Sequence, residues 1–189
     1  SSNMLSAMSD LFISLSGTEL KADQVNLYDF SGYVLEAGIS TIVKKTDGSK
    51  DEWIEVAREL EGKKVLTPPY CTREYTKTAT YDQWFISLYR SFNNQYKRGV
   101  GVIETAKQCK SVFKSIITYK KKNHEDAASI YVFDSNGDLI YPYDISQEYK
   151  AALQPYYELT KGDDSALTFI SPLTGKTEYA AEAVSSYTG

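Results

Sequence analysis

Alternating apolar and polar positions in the middle of the chain predict two neighbouring strands. The first covers residues 85–92, with Ser87 and Tyr89 on one face and Arg90 on the other. A pair of asparagines then leads to a returning strand at 100–103. This strand pair is the best-defined feature of the first half of the chain.

Directly after these strands, apolar residues recur at helical spacing from Ala106 to Ile117, with lysines between them. The spacing predicts an amphipathic helix that ends at the lysines 120–122, where positive charge favours the C-terminus of a helix. We expect this helix to join two modules, 1–105 and 106–189.

The first module divides into shorter elements. Residues 53–60 have the spacing of a helix, and 33–45 are rich in β-branched residues, which predicts a strand interrupted at Gly38. The segment 65–81 contains a Pro-Pro pair and is predicted to be a surface loop. Residues 18–31 are polar and their structure is ambiguous.

Two strand pairs and a helix are predicted in the second module. Residues 129–133 and 139–143 flank an Asn-Gly turn, which is a strong hairpin signal. A capped amphipathic helix follows, and a final strand pair is expected at 167–170 and 177–184. Together the elements indicate an α+β fold of two modules with antiparallel sheets, the second module being smaller.

Composition narrows the class of partner. The formal charge is −4 and no basic face is sustained, so nucleic acid is not an expected partner. The 16 tyrosines suit either a polar-ligand pocket or ordinary sheet packing with the hydroxyl groups at the surface. Cys71 and Cys109 form no CxxC pair, which leaves thiols and a disulfide both open. No apolar run approaches the roughly 18 residues of a membrane span.

The sequence contains no recognisable catalytic centre, so we expect a non-catalytic fragment without a metal or cofactor. His124 is the only histidine and lies among polar residues. Asp134–Asp138 superficially resembles a calcium loop, but Ile145 occupies the twelfth position, where the loop needs glutamate, and a turn is indicated instead. The Gly-Lys-Thr at 175–177 has Ile170 where a phosphate loop needs glycine.

Side chains suited to a small polar ligand surround the first of the two central strands. Arginine can clamp a carboxylate, and tyrosine can stack while donating a hydrogen bond. The ordinary alternative for the arginines is a solvated side chain or a structural ion pair. Glu104 would either receive a ligand ammonium group or lie exposed in the first turn of the helix. The candidate ligand-binding residues are Tyr70, Arg73, Tyr75, Ser87, Tyr89, Arg90 and Glu104.

The order of these residues resembles a known family. Residues 84–92, a polar connection and 99–104 are similar to the pattern of extracellular Cache (PAS-like) sensor domains. In that pattern a strand ending in arginine precedes a glycine and an apolar strand with an acidic end. Residues 130–141 resemble the first hairpin of the membrane-proximal module of a double Cache domain. The likeness covers about residues 50–189 and points to bacterial sensor histidine kinases of the carbohydrate-regulator type.

The resemblance implies two PAS-like modules joined by a helix, with a ligand pocket in the membrane-distal module 1–105. It also implies a homodimer, anchored at the extracellular face of the bacterial cell membrane and coupled to a cytoplasmic kinase. The ligand would be a sugar, an amino acid or an organic acid, whose binding shifts the relative pose of the modules.

A departure from the family pattern limits what the resemblance carries. The Arg/Trp/Tyr/Asp set of the amino-acid-binding version is incomplete here, so amino-acid specificity is not transferred. The alternative function is that of an extracytoplasmic adhesion or scaffold domain that binds protein, with tyrosines forming the binding surface.

Overall fold

The computed structural model describes residues 22–30, 32–38, 42–45, 52–72, 83–93, 96, 99–123, 128–160 and 167–185, with the backbone alone at 42–45. These residues form eleven strands and four helices, and none of these helices is long and apolar enough to cross a membrane. In chain order the elements are β1 (Gln24–Asp29), β2 (Tyr33–Gly38), β3 (Ile42–Lys45), α1 (Glu52–Glu59), β4 (Lys64–Leu66), β5 (Tyr70–Thr72), β6 (Gln83–Asn93), β7 (Gly99–Gln108), α2 (Cys109–Val112), α3 (Lys114–Asn123), β8 (Val132–Phe133), β9 (Leu139–Tyr141), α4 (Gln147–Thr160), β10 (Leu167–Ile170) and β11 (Thr177–Ala180).

The chain divides into two compact units, Ser1–Val112 and Phe113–Gly189. Every strand pair described in either unit is antiparallel, so the predicted α+β class with antiparallel sheets is confirmed. Strand β7 runs without a break through the predicted module boundary at 105/106. That the first unit is the membrane-distal one stays a prediction.

The first unit is built on a seven-stranded sheet in the order β3-β2-β1-β7-β6, with β4 and β5 both paired to β6. Strands β6 and β7 pair along nearly their whole lengths, and β1 lies against the other edge of β7. Helix α1 covers one end of one sheet face, where Ile54 and Ala57 are buried against Tyr89 and Val102. The centre of the sheet is therefore formed by β1, β7 and β6.

The turn after α1 is fastened to β6. Gly62 has φ +90°, a conformation that favours glycine, which agrees with its predicted place at the end of the helix. Its N–H donates to Ser91 Oγ at 2.7 Å, and its carbonyl accepts from Arg90 Nε at 2.7 Å. These two bonds hold the C-terminal end of α1 beside the sheet.

The second unit contains the predicted hairpin turn and the predicted capped helix. Asp134 Oδ1 accepts from the N–H groups of Asn136 and Asp138, both at 2.9 Å, so these residues form a turn. Ser146 Oγ accepts from the Tyr149 N–H at 3.2 Å and caps α4. Helix α4 packs Leu153 and Tyr156 against Leu139 of β9, with partly buried aromatic residues around them.

A loop and a helix are among the predicted elements whose bounds were wrong. The segment 65–81 is not simply a loop, because β4 and β5 lie on either side of the two prolines and pair with β6. Short edge strands are places where a sheet tolerates neighbouring proline. The predicted helix from Ala106 begins later, at Cys109, and is divided at Phe113 into α2 and α3. Ala106 satisfies the period of a strand equally well, and two strands pair with it.

The environments of the two cysteines lead to a testable difference in reactivity. The structure contains both as thiols: Cys71 is exposed, whereas Cys109 is buried, and burial raises the pKa of its thiol from 9.0 to about 12. Because the thiolate is the reactive form, we expect iodoacetamide at about pH 8 to label Cys71 alone in the native protein and both cysteines after unfolding. Mass spectrometry counts the adducts. The Cys71→Ser variant is the control and should take up no label while folded; rapid double labelling of the native protein would contradict the structure.

Candidate ligand-binding site

Polar side chains lie in one row across the three central strands. The antiparallel register places Asn26 of β1 opposite Glu104 of β7, and Glu104 opposite Tyr89 of β6. Side chains two residues apart on a strand share a face, so Ser87 lies on the same side as Tyr89. We call this side of the sheet the Glu104 face; it carries Asn26, Ser87, Tyr89 and Glu104.

Glu104 is the centre of the row. Its side chain is 0% exposed, and its two carboxylate oxygens accept at least four hydrogen bonds. Oε2 accepts from Asn26 Nδ2 at 2.8 Å and from the Tyr28 hydroxyl at 2.7 Å. Oε1 accepts from Ser87 Oγ at 2.6 Å and from the Tyr70 hydroxyl at 3.3 Å. An uncompensated buried carboxylate is very costly, and these donors from three neighbouring strands compensate it.

The donors are themselves linked. The hydroxyl oxygens of Tyr70 and Ser87 are 2.7 Å apart. Gln24, also fully buried, donates from Nε2 to Asn26 Oδ1 at 2.9 Å, which leaves the amide nitrogen of Asn26 directed at Glu104. The result is one hydrogen-bonded network that extends from β1 across β7 and β6 to β5.

Two apolar clusters flank this network along the strands. At one end, α1 packs over Tyr89 and Val102. At the other end, Phe85 and Ala106 are buried beneath Tyr70. The polar centre with aromatic walls on either side is the arrangement that small polar ligands require.

The structure brings together three of the residues predicted from sequence and separates the others. Tyr70, Ser87 and Glu104 are in direct contact, and Tyr89 stands next to Glu104 but belongs to the apolar cluster under α1. Arg90 lies on the opposite face of β6, with its guanidinium on the Gly62 carbonyl. Arg73 and Tyr75 lie outside the described residues.

Glu104 does not lie exposed in a first helical turn, which was one of the two alternatives considered for it; that it receives a ligand ammonium group stays a prediction. It lies in the interior of β7, neither at a strand end nor in a first helical turn, and it is buried. A carboxylate accepts about four hydrogen bonds, and Glu104 already accepts at least four in this structure.

Strand β1, which contributes three members of the network, was missed by the sequence reasoning. Its residues Gln24, Asn26 and Tyr28 lie in the segment whose pattern was ambiguous. A signal was present: polar side chains alternate strictly with Val25 and Leu27. The alternation runs against the usual rule, because the polar set faces the buried side of the sheet. From the sequence alone the structure of this segment was therefore ambiguous.

The second unit has a smaller buried polar group. The Tyr156 hydroxyl is 2.7 Å from Ser171 Oγ and donates to Glu178 Oε2 at 3.0 Å. Burial raises the pKa of the Tyr156 hydroxyl above its usual value of 10.0. This group ties α4 to the β10–β11 strand pair and is explained by that structural role.

Comparison with known proteins establishes the fold. No family model matches the sequence, and no curated protein matches it. Among solved structures, the ligand-binding domain of the Campylobacter jejuni chemoreceptor Tlp3, in complex with L-norvaline, has a TM-score of 0.60 at 15% identity over 95% of this chain and 65% of that one. The corresponding domain of the Pseudomonas aeruginosa amino-acid chemoreceptor PctC, in complex with GABA, has a TM-score of 0.56 at 10% identity over 95% and 85%.

A third structure of the same fold is the extracellular domain of rpHK1S-Z16, a protein assigned as a histidine kinase. It has a TM-score of 0.60 at 17% identity, over 94% of this chain and 76% of that one. The chain spans 65% of the length of the Tlp3 domain. Identities this low show a shared fold, which is the fold of extracytoplasmic sensor domains of chemoreceptors and histidine kinases.

The network predicts a large effect of removing the carboxylate. In the Glu104→Leu variant, donors on β1, β6 and β5 lose their common acceptor, and we expect a loss of about 2–4 kcal/mol in the free energy of unfolding. Urea denaturation followed by circular dichroism measures it. Thr105→Val, next to it on the opposite face of β7, is the control and should change stability by only about 0.5 kcal/mol. If both substitutions lowered the free energy of unfolding equally, the network would not stabilise the sheet more than the control side chain does.

Proposed function

We propose that this chain, which has the fold of extracytoplasmic sensor domains, is a ligand-sensing domain that binds a small polar molecule on its Glu104 face. The observation that carries the proposal is the Glu104 network itself. A buried polar network of this size lowers the free energy of unfolding relative to an apolar core unless each of its polar groups has a hydrogen-bond partner. Its position between two aromatic clusters supports a role in recognition.

The solved structures of the same fold support the proposal. The Tlp3 and PctC domains are described with L-norvaline and GABA bound, respectively. Both ligands are small and polar, and the side chains of the Glu104 network are of the kind that hold such molecules. We propose the same general class of ligand here: a sugar, an amino acid or an organic acid.

The setting of the domain is part of the proposal. We infer a homodimer at the extracellular face of the bacterial cell membrane, anchored by the full-length protein and coupled to a cytoplasmic histidine kinase. Ligand binding would favour one of two conformations of the domain and so change the activity of the kinase. The fragment itself would be non-catalytic, because its role is to bind.

Of the residues predicted from sequence, Tyr70, Ser87 and Glu104 belong to the proposed site, and Tyr89 forms its wall. To them we add Asn26 and Tyr28 from β1, which contact Glu104 directly. Arg90 is left out because strand alternation places its side chain on the other face of β6, where it donates to the Gly62 carbonyl. Arg73 and Tyr75 stay predictions from sequence.

One observation favours the alternative, an extracytoplasmic adhesion or scaffold domain that binds protein. Ile170 and Tyr179, on β10 and β11, are 63% and 83% exposed. Large apolar side chains at this exposure are typical of contact surfaces when they are contiguous. Under this alternative no small molecule would stabilise the chain, and the double variant Ile170→Ser, Tyr179→Ser would lose binding to its protein partner.

Ligand binding is tested by thermal denaturation of the chain with individual sugars, amino acids and organic acids at millimolar concentration. We expect at least one compound to raise the midpoint, since a ligand at about 100 times its Kd adds about 2.7 kcal/mol to the free energy of unfolding. Ser87→Ala and Tyr70→Phe should abolish the shift because each removes a hydroxyl of the site.

Arg90→Ala is the matched control on the opposite face of β6 and should leave the shift unchanged. The proposal would be wrong if no compound stabilised the chain. It would also be wrong if a stabilising compound were indifferent to both Ser87→Ala and Tyr70→Phe.

A further inference from the structure

Glu178 is a charged residue on the inner face of the β10–β11 strand pair in the second unit. The register pairs it with Phe169, and Leu167 with Ala180, so these four side chains share one face. All four are half-buried, whereas the other residues of both strands are exposed. On this face Phe169 packs against Tyr156 of α4. A carboxylate therefore lies on the side of the strand pair that faces the helix.

The hydrogen bonds of Glu178 come from two hydroxyl groups. Its Oε2 accepts from the Tyr156 hydroxyl at 3.0 Å, and its Oε1 accepts from Thr174 Oγ1 at 3.3 Å. A carboxylate accepts about four hydrogen bonds, and among the residues that the structure describes Glu178 forms no ion pair with Lys, Arg or His. A glutamine at this position would offer the Tyr156 hydroxyl the same kind of acceptor, so the tie between α4 and the strand pair does not require a charge.

Aromatic rings lie next to this carboxylate. The ring centroid of Tyr156 is 5.6 Å from that of Phe169 and 5.3 Å from that of Tyr131. Burial is the main cause that raises the pKa of the Tyr131 hydroxyl, and the charge of Glu178 is a smaller cause, so the carboxylate acts on this ring as well. Because a carboxylate and the faces of aromatic rings both attract positive charge, the surroundings of Glu178 favour a cation.

Part of this aromatic group is open to solvent. Tyr131 and Glu178 are half-buried, and Tyr149 is 44% exposed. Tyr149 precedes Tyr156 by about two helical turns, so both side chains start from the same face of α4. Burial is the main cause that raises the pKa of the Tyr131 and Tyr156 hydroxyls, and Tyr149 contributes to both shifts, so it lies near both. A small molecule in solution therefore reaches these residues without a change in the fold.

We propose that Glu178, with the rings of Tyr131, Tyr149 and Tyr156, forms a second binding site, the Glu178 site, which takes a small organic cation with a methylated ammonium group. The carboxylate supplies the opposite charge, and the rings supply faces that attract such a cation. The part of the chain that the structure describes contains no group of three or more His, Cys, Asp or Glu side chains suited to a metal ion. The inference goes beyond the proposed function, whose ligand lies on the Glu104 face of the first unit.

The test compares choline with its neutral isostere 3,3-dimethylbutan-1-ol, in which a carbon atom replaces the charged nitrogen. Binding of each probe to the whole chain is measured by protein-detected NMR titration at constant ionic strength. We expect choline to bind at least about tenfold more tightly than the isostere, a difference of about 1.4 kcal/mol. The signals that shift should belong to α4 and β11.

Two variants distinguish binding from a structural role. Glu178→Gln keeps an oxygen for the Tyr156 hydroxyl and removes the charge, so the preference for choline over the isostere should be lost while the fold is kept. Tyr149→Leu removes an exposed ring and should weaken choline binding. Glu158→Gln, on the exposed side of α4, removes an equal charge and is the matched control; it should keep the wild-type preference. Circular dichroism confirms that each variant is folded.

The inference would be overturned if choline did not bind at millimolar concentration, if the isostere bound equally well, or if Glu178→Gln kept the wild-type preference. A purely structural Glu178 would produce the last result. Choline-dependent shifts confined to the Glu104 face would also overturn the Glu178 site, and they would support the proposed function. Failure of the Glu178 site in any other way leaves the ligand test on the Glu104 face unaffected, because the two sites lie in different units.

Discussion

The buried carboxylate of Glu104 is the constraint on which the first unit depends. A charged group with 0% exposure needs donors from its surroundings, and the sheet supplies them from three directions. β1 brings Asn26 and Tyr28, β6 brings Ser87, and β5 brings Tyr70. These strands are far apart in the sequence, so the network forms only when the register of the sheet is correct.

This dependence connects the fold to the proposed site. If β1 shifted along β7 by one residue, its polar side chains would turn to the opposite face and Val25 and Leu27 would face Glu104. The network therefore favours one register, while the flanking apolar clusters supply most of the buried apolar surface. The same interactions that fix the sheet also orient the hydroxyl groups that we propose contact a ligand.

The sequence predicted the parts of the fold that follow a conventional pattern. The paired strands β6 and β7, the interruption at Gly38, helix α1 and the turn at Asp134 all have local signals, and the structure contains them. It misplaced the start of the helix after β7 because Ala106 fits a strand and a helix equally well. It missed β1 because Gln24, Asn26 and Tyr28 face inward, and an inward polar strand has the composition of a solvated loop.

Part of the site was predictable from the sequence, because some of its residues lie on or beside elements that have local signals. Ser87 lies on the first strand predicted in the middle of the chain and Glu104 directly follows the second, and Tyr70 was noted as an aromatic residue in the preceding segment. That all three meet depends on the pairing of β5 with β6 and of β6 with β7, which no local pattern specifies. Arg90 shows the converse: its residue type suited a ligand clamp, but the strand alternation places it on the other face, bound to Gly62.

The most direct test of the account is NMR of the chain with 13C-labelled tyrosine, recorded while a stabilising ligand is added. The account predicts that the ring signals of Tyr28 and Tyr70 shift with a common saturation curve, while those of the exposed Tyr33 and Tyr179 stay in place. Saturable shifts of Tyr33 or Tyr179 without any change at Tyr28 and Tyr70 would contradict it, because the ligand would then bind away from the Glu104 face.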